Sequence, residues 1–120
     1  MQLKRVVVTG LGALTPIGNN VQDYWNNLST GVSGAAPITR FDATKHKTRF
    51  ACEVKNFNVD NHIEKKEHRK MDPFSHYAIV AADEAILDSG ILSDKLDFDR
   101  VGVIFGSGIG GIRGVSGGNN

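Results

Sequence analysis

Cysteine is nearly absent: Cys52 is the only one in 120 residues. A single thiol cannot close an internal disulfide or build a thiolate zinc site, which agrees with a reducing compartment. An excess of charge is missing too. Fourteen Lys and Arg stand against 13 Asp and Glu, for a net charge of +1. No global field therefore draws the chain to nucleic acid or to a membrane. No run approaches the ~18 apolar residues of a membrane span. There are three prolines, and aromatic residues make up 8%. What is present, 40% hydrophobic and 22% charged residues, excludes a disordered charged tail, a collagen-like chain and a coiled coil. The length is that of one small domain at most. Fourteen glycines are unevenly placed, and they carry much of the information.

Lys4 and Arg5 precede an apolar stretch, Val6 to Leu14, that loosely resembles a signal peptide. Gly10, Gly12, Thr9 and Pro16 interrupt it, and three consecutive valines fit a buried strand better. A cytoplasmic chain is the expectation. Arg5 to Thr9 reads as a strand buried on both faces, followed by a turn-rich loop through Gly18. Asn19 or Asn20 can cap a helix over roughly Val21 to Leu28, with Gly31 as its stop. Ser33 to Phe41 reads as loop, and Arg49 to Lys55 as an edge strand. The clearest helix has Asp72 as N-cap, Pro73 at the first position and Gly90 just past its end. Phe74, Tyr77, Ala78, Ala81, Ala85 and Ile86 recur at helical spacing, and the alanines predict close packing. Val101 to Phe105 reads as a second buried strand. Strand, helix, hairpin-like segment, helix and strand make an α/β pattern.

The neutral total hides a segregation of charge. Residues 40–70 hold nine basic and five acidic side chains, and residues 71–100 hold two basic and seven acidic. Lys65, Lys66, Arg69 and Lys70 are the most concentrated basic patch. In a helix, Lys66, Arg69 and Lys70 share one face. Such a face can receive an acidic partner or a phosphate, or it can be a solvated face laced with Glu64 and Glu67.

Two stretches mimic a dinucleotide fingerprint. Gly10-Leu11-Gly12 lacks the third glycine, where Thr15 stands, and Pro16 falls in the first turn of the would-be helix. Gly106, Gly108 and Gly111 match the spacing but have too little chain after them for the required helix. Neither passes the strand-to-helix test, so these glycines are expected to let backbone turn tightly or pass close to other backbone. Cys52 could serve as a nucleophile only with a base beside it, and nothing orients His46, His62, His68 or His76 toward it. A packed, inert thiol is the expectation. The histidines show no metal-ligand spacing: His62 and His68 are six apart, not three or four.

Taken in order, several stretches resemble the N-terminal part of a β-ketoacyl-[acyl-carrier-protein] synthase of the elongating type. They are Lys4-Arg5-Val6-Val7-Val8-Thr9-Gly10-Leu11-Gly12, Thr15-Pro16-Ile17-Gly18-Asn19, Gly31-Val32-Ser33-Gly34 and Phe41-Asp42. Lys66-Glu67-His68-Arg69-Lys70-Met71-Asp72 and Val103-Ile104-Phe105-Gly106-Ser107-Gly108-Ile109-Gly110-Gly111 complete the series. The resemblance implies an incomplete N-terminal portion of a thiolase-like, layered α/β/α/β/α fold over residues 1–112. An atypical Gly/Asn-rich tail follows at 113–120 and reads as a truncation scar, a frameshift or an unusual end.

The resemblance also implies an activity: fatty-acid chain elongation by decarboxylative Claisen condensation of an acyl-enzyme with malonyl-carrier protein. No cofactor or metal is implied. Family members are much longer, and form homodimers. Their nucleophilic cysteine lies beyond the Gly106–Gly111 loop, with two histidines further still, so no catalytic residue is expected in this chain and Cys52 does not take that role. The chain alone is expected to be inactive. Two family roles fall on residues present. Lys65, Lys66, Arg69 and Lys70 resemble the patch that receives the acyl carrier protein, whose phosphopantetheine arm bears the acyl or malonyl group. Gly108 and Ile109 resemble the gate of the acyl pocket. Carrier-protein binding without catalysis is the competing reading, and a nucleotide-binding α/β domain is a third.

Overall fold

The side chain of Asn20 accepts the Asp23 N–H at 2.8 Å and donates to the Asp23 carboxylate at 2.8 Å. This reciprocal cap satisfies donors that a helix start leaves open, and it begins α1 (Val21–Ser29). At the other end Gly31 takes φ +74°. Its N–H reaches the Leu28 carbonyl at 3.2 Å, and the Val32 N–H reaches Asn27 at 2.9 Å. Those two bonds are how a left-handed residue closes a helix. Both ends agree with the sequence reading.

The computed structural model describes residues 3–93 and 95–111; the 113–120 tail lies outside them. The chain divides into two compact units. One is Ala13–Asn58, and the other joins the segment ending at Gly12 to the segment beginning at Val59.

In the Ala13–Asn58 unit, β1 (Ala36–Pro37) pairs antiparallel with β2 (Phe50–Ala51), placing Ala36 opposite Ala51 and Pro37 opposite Phe50. The 33–41 stretch is therefore not all loop, and the expected strand over 49–55 shrinks to two residues. Just beyond, the Ile38 N–H donates to the Arg49 carbonyl at 3.0 Å, so Pro37 falls at a position where the ladder needs no N–H. Cys52, just past β2, is exposed, contrary to the packed thiol expected. Lys55 does more to organise this unit. Its ammonium donates to the carbonyls of Gly34 at 2.7 Å, Glu53 at 3.1 Å and Pro16 at 3.2 Å. All three of its protons are thus placed on backbone. Asn19 Nδ2 donates to the Lys55 carbonyl at 2.9 Å, and Asn27 Nδ2 to the Ile17 carbonyl at 2.6 Å. Loop backbone that has no ladder is satisfied by side chains instead.

The second unit is built on α3 (Pro73–Ser89). Pro73 supplies a preset φ where no N–H is needed, and Gly90 ends the helix at φ 61°. Asp72 stands at the N-cap, but its side chain makes no capping bond. Gly111 lies so close that a Cβ there would collide with the Asp72 carboxylate. A Cβ on Gly10 would strike the Ala85 carbonyl and Ser89, and one on Gly12 would strike the Ala81 carbonyl. The first glycine pair is thus a close backbone crossing over the alanine face of α3, as expected of glycines that let one backbone pass close to another.

The two short buried strands expected from the sequence, Arg5 to Thr9 and Val101 to Phe105, are not strands. Residues 3–9 and 101–105 form no ladder with any described residue. Val6 is 88% exposed and Ile104 97%. Valine and isoleucine fit a pleated surface that neighbours complete. Without paired neighbours, an apolar run gains neither ladder bonds nor burial. Among the described residues, only Ala43 and Val80 are buried apolar side chains. No described helix is long and apolar enough to cross a membrane.

Candidate functional site

The basic patch sits on a helix too short to stand alone. α2 (Lys65–His68) has four residues, and Glu64, at its N-cap, makes no side-chain capping bond. One turn fixes many dihedrals for one hydrogen bond, so isolated turns do not persist in water. Contacts outside the turn hold it. The His68 ring donates from Nε2 to Asp60 Oδ1 at 2.6 Å; a carboxylate only accepts, so that nitrogen carries the proton. Asp60 belongs to the 3-10 turn Val59–Asn61. From α3, His76 Nε2 donates to the His68 carbonyl at 2.8 Å. The two imidazoles meet edge to face, with centroids 5.6 Å apart and planes at 86°. The His68 side chain is only 13% exposed, while its neighbours in sequence face water.

Lys65, Lys66, Arg69 and Lys70 are all exposed. Arg69 keeps helical backbone at φ −63°, ψ −21°. Lys70 lies in the turn beyond, where its N–H bonds to Glu67. The cations therefore occupy a short helix and its following turn, not one regular helical stripe. Lys70 Nζ lies 3.1 Å from Glu67 Oε1. Among the described residues, Lys65, Lys66 and Arg69 form no ion pair.

Directly after Lys70, Met71 begins the wall of an apolar cavity of about 490 Å³. Phe74, Ala78 and Ile79 of α3 form one side, and Val103, Phe105 and Ser107 contribute the other. The Ser107 hydroxyl accepts the Gly110 N–H at 3.0 Å, shaping the loop that carries Gly108 and Ile109. Gly110 needs a positive φ of 75°, whereas a side chain on Gly106 or Gly108 would meet open space. Ile109 is 80% exposed. Met71, next to the basic segment, and Ser107, in the glycine loop, thus both line this cavity.

Cys52 lies exposed in the Ala13–Asn58 unit, and among the described residues no histidine is bonded to it. Among the described residues, no three His, Cys, Asp or Glu side chains converge to hold a metal ion. What the sequence reading missed is the support of α2. Asp60, His68 and His76 are spaced by eight and eight, and no local pattern announces that they meet.

A family model described as "Beta-ketoacyl synthase, N-terminal domain" matches residues 3–118. The chain is 49% identical over 113 residues to 3-oxoacyl-[acyl-carrier-protein] synthase 2 of Synechocystis sp., covering 94% of this chain and 27% of that protein. It is 52% identical over 112 residues to the Staphylococcus aureus protein of the same name, covering 93% and 27%. Among solved structures, the ishigamide ketosynthase/chain length factor superposes with a TM-score of 0.68 at 39% identity, over 75% of this chain and 22% of that one. The chain spans about a quarter of the length of these curated relatives.

Proposed function

Since the chain belongs to the β-ketoacyl synthase family by its N-terminal domain, we propose that it serves fatty-acid chain elongation as the carrier-protein-receiving part of a 3-oxoacyl-[acyl-carrier-protein] synthase. The reaction is decarboxylative condensation of an acyl-enzyme with malonyl-carrier protein. Its nucleophilic cysteine and two histidines belong, by the family's order, beyond the Gly106–Gly111 loop, so residues 1–120 by themselves bind without turning over. The family's setting extends the reading to a cytoplasmic homodimer that needs no cofactor.

The observation that carries this reading is the exposed cation cluster Lys65, Lys66 and Arg69 on a turn anchored from behind. An acidic carrier protein is drawn to such a cluster by long-range attraction and held by charge-assisted hydrogen bonds. Arg69 contributes most, because a guanidinium grips a carboxylate or phosphate through two parallel bonds. Lys70 contributes less, its charge already facing Glu67. Gly108 and Ile109 act as the gate: an exposed apolar side chain on glycine-flanked backbone swings at the rim of an apolar cavity.

The test is binding of holo-carrier protein to the chain at low salt and above ~0.15 M, where charges are screened beyond ~8 Å. Arg69→Glu weakens binding roughly tenfold, near 1.4 kcal/mol, and Lys66→Glu somewhat less, with a flatter salt dependence in both. Unchanged affinity and salt slope in both variants would make the patch a solvated face and defeat the reading.

A further inference from the structure

Asp60, His68 and His76 form a line running behind the basic patch. Asp60 lies in the 3-10 turn before α2, His68 is the last residue of α2, and His76 is in the first turns of α3. The Asp60 carboxylate receives the His68 ring proton at 2.6 Å, and the His68 carbonyl receives the His76 ring proton at 2.8 Å. That same carbonyl also accepts the Met71 N–H at 3.1 Å. One residue is therefore pinned through its side chain on one side and its backbone on the other. It sits between Lys66 and Arg69, the two cations that need a fixed spacing. The turn itself has four residues and no side-chain cap, so these outside contacts carry much of its support.

We propose that Asp60, His68 and His76 are positioning residues for carrier-protein docking: they hold α2 in the one geometry in which Lys66 and Arg69 can engage an acidic surface together. The proposal deepens the reading above and rests on it. Asp60 matters here through an unusual sign. It is an acid beside a cationic patch, among the charges Glu64, Lys65, Lys66, Glu67, Arg69 and Lys70 of α2 and its flanks. By charge alone, it opposes an acidic partner. By position, it favours one. The two roles predict opposite effects of its removal.

That opposition gives the experiment. The full chain is titrated with holo-carrier protein as wild type, Asp60→Asn, Asp60→Ala, His68→Gln and Arg69→Glu. Asparagine keeps an acceptor oxygen for the His68 ring and loses the charge; alanine loses both. Glutamine keeps an N–H donor near the place of Nε2. Both Asp60 variants remove the same charge, so any difference between them reports the hydrogen bond. Asp60→Ala binds roughly fivefold weaker than Asp60→Asn, the worth of about one hydrogen bond, with the same salt slope. His68→Gln stays within roughly twofold of wild type on the same scale.

Circular dichroism accompanies each variant, and trypsin cleavage after Lys65, Lys66, Arg69 and Lys70 follows local order directly. Cleavage speeds up in Asp60→Ala and not in Asp60→Asn. If Asp60→Ala and Asp60→Asn bind equally, or both bind tighter than wild type by the same factor, the carboxylate acts only as a charge and the positioning role is lost. If Arg69→Glu also leaves binding unchanged, the docking reading itself fails and takes this proposal with it.

Discussion

Leu11 donates its backbone N–H to Oδ2 of Asp88 at 2.9 Å, joining two residues 77 positions apart. The bond holds the N-terminal segment across α3 at the place where Gly10 and Gly12 let the backbones approach. Adding a side chain there meets the main chain of Ala81, which cannot rotate away. Gly12→Val is expected to cost about 1–3 kcal/mol by overpacking. Asp88→Ala, which removes an exposed bond, costs less. Urea denaturation followed by circular dichroism measures both, and equal losses would contradict the steric account.

Lys55 should be the most sensitive polar residue of the Ala13–Asn58 unit. Lys55→Met keeps the stem and removes the ammonium that bonds to Pro16, Gly34 and Glu53. Part-buried carbonyls are left without a donor, at about 1–3 kcal/mol. Lys55→Arg should not restore the loss, since a flat guanidinium fork cannot reach three convergent carbonyls as a rotating ammonium does. Thermal melts of the two variants decide it: recovery in the arginine variant would mean that charge alone is needed.

Acid should loosen the β1–β2 region. The Thr39 hydroxyl donates to Glu53 Oε2 at 2.7 Å and holds that carboxyl below the usual carboxylate range. The backbone N–H of Thr44, with its side chain, does the same for Asp42. Both groups bind protons less readily folded than unfolded. Their contribution is therefore complete above the ordinary carboxylate range and disappears as pH falls through the lowered folded values. Carbon-13 titration of the Glu53 carboxyl should show its midpoint rising in Thr39→Val. A midpoint that stays put would assign the shift elsewhere.

Exposed apolar residues on the unpaired segments should make the chain associate. Val6, Val8, Val103 and Ile104 are all largely exposed, and extended backbone with open donors and acceptors recruits other backbone. Hydrophobic-dye fluorescence and concentration-dependent sedimentation are expected. Val8→Thr combined with Ile104→Thr should lower both without changing helix content. A clean monomer that binds no dye would contradict this.

Local chemistry was legible and non-local pairing was not. Asn20, Gly31, Pro73 and Gly90 act through bonds within a few residues of themselves, so the sequence around each was enough to place both helix ends. The Val6-Val7-Val8 run carried the opposite lesson. Its composition describes a surface that suits burial, but a strand exists only where another strand supplies its ladder, and no described residue does. The cation cluster could be read directly from its spacing. Its anchor could not, because Asp60 and His76 reach His68 through tertiary contact alone. Likewise nothing around Lys55 distinguishes a lysine that binds three carbonyls from one that waves in solvent.

Cys52 stands exposed just past β2 and is the chain's single sulfhydryl. A maleimide fluorophore would therefore attach at one defined atom without mutagenesis. Its emission would follow the ribbon of the Ala13–Asn58 unit, while helical circular dichroism draws mostly on the 17-residue α3. Unfolding followed by both signals on one labelled molecule would reveal whether the two units melt together or in sequence.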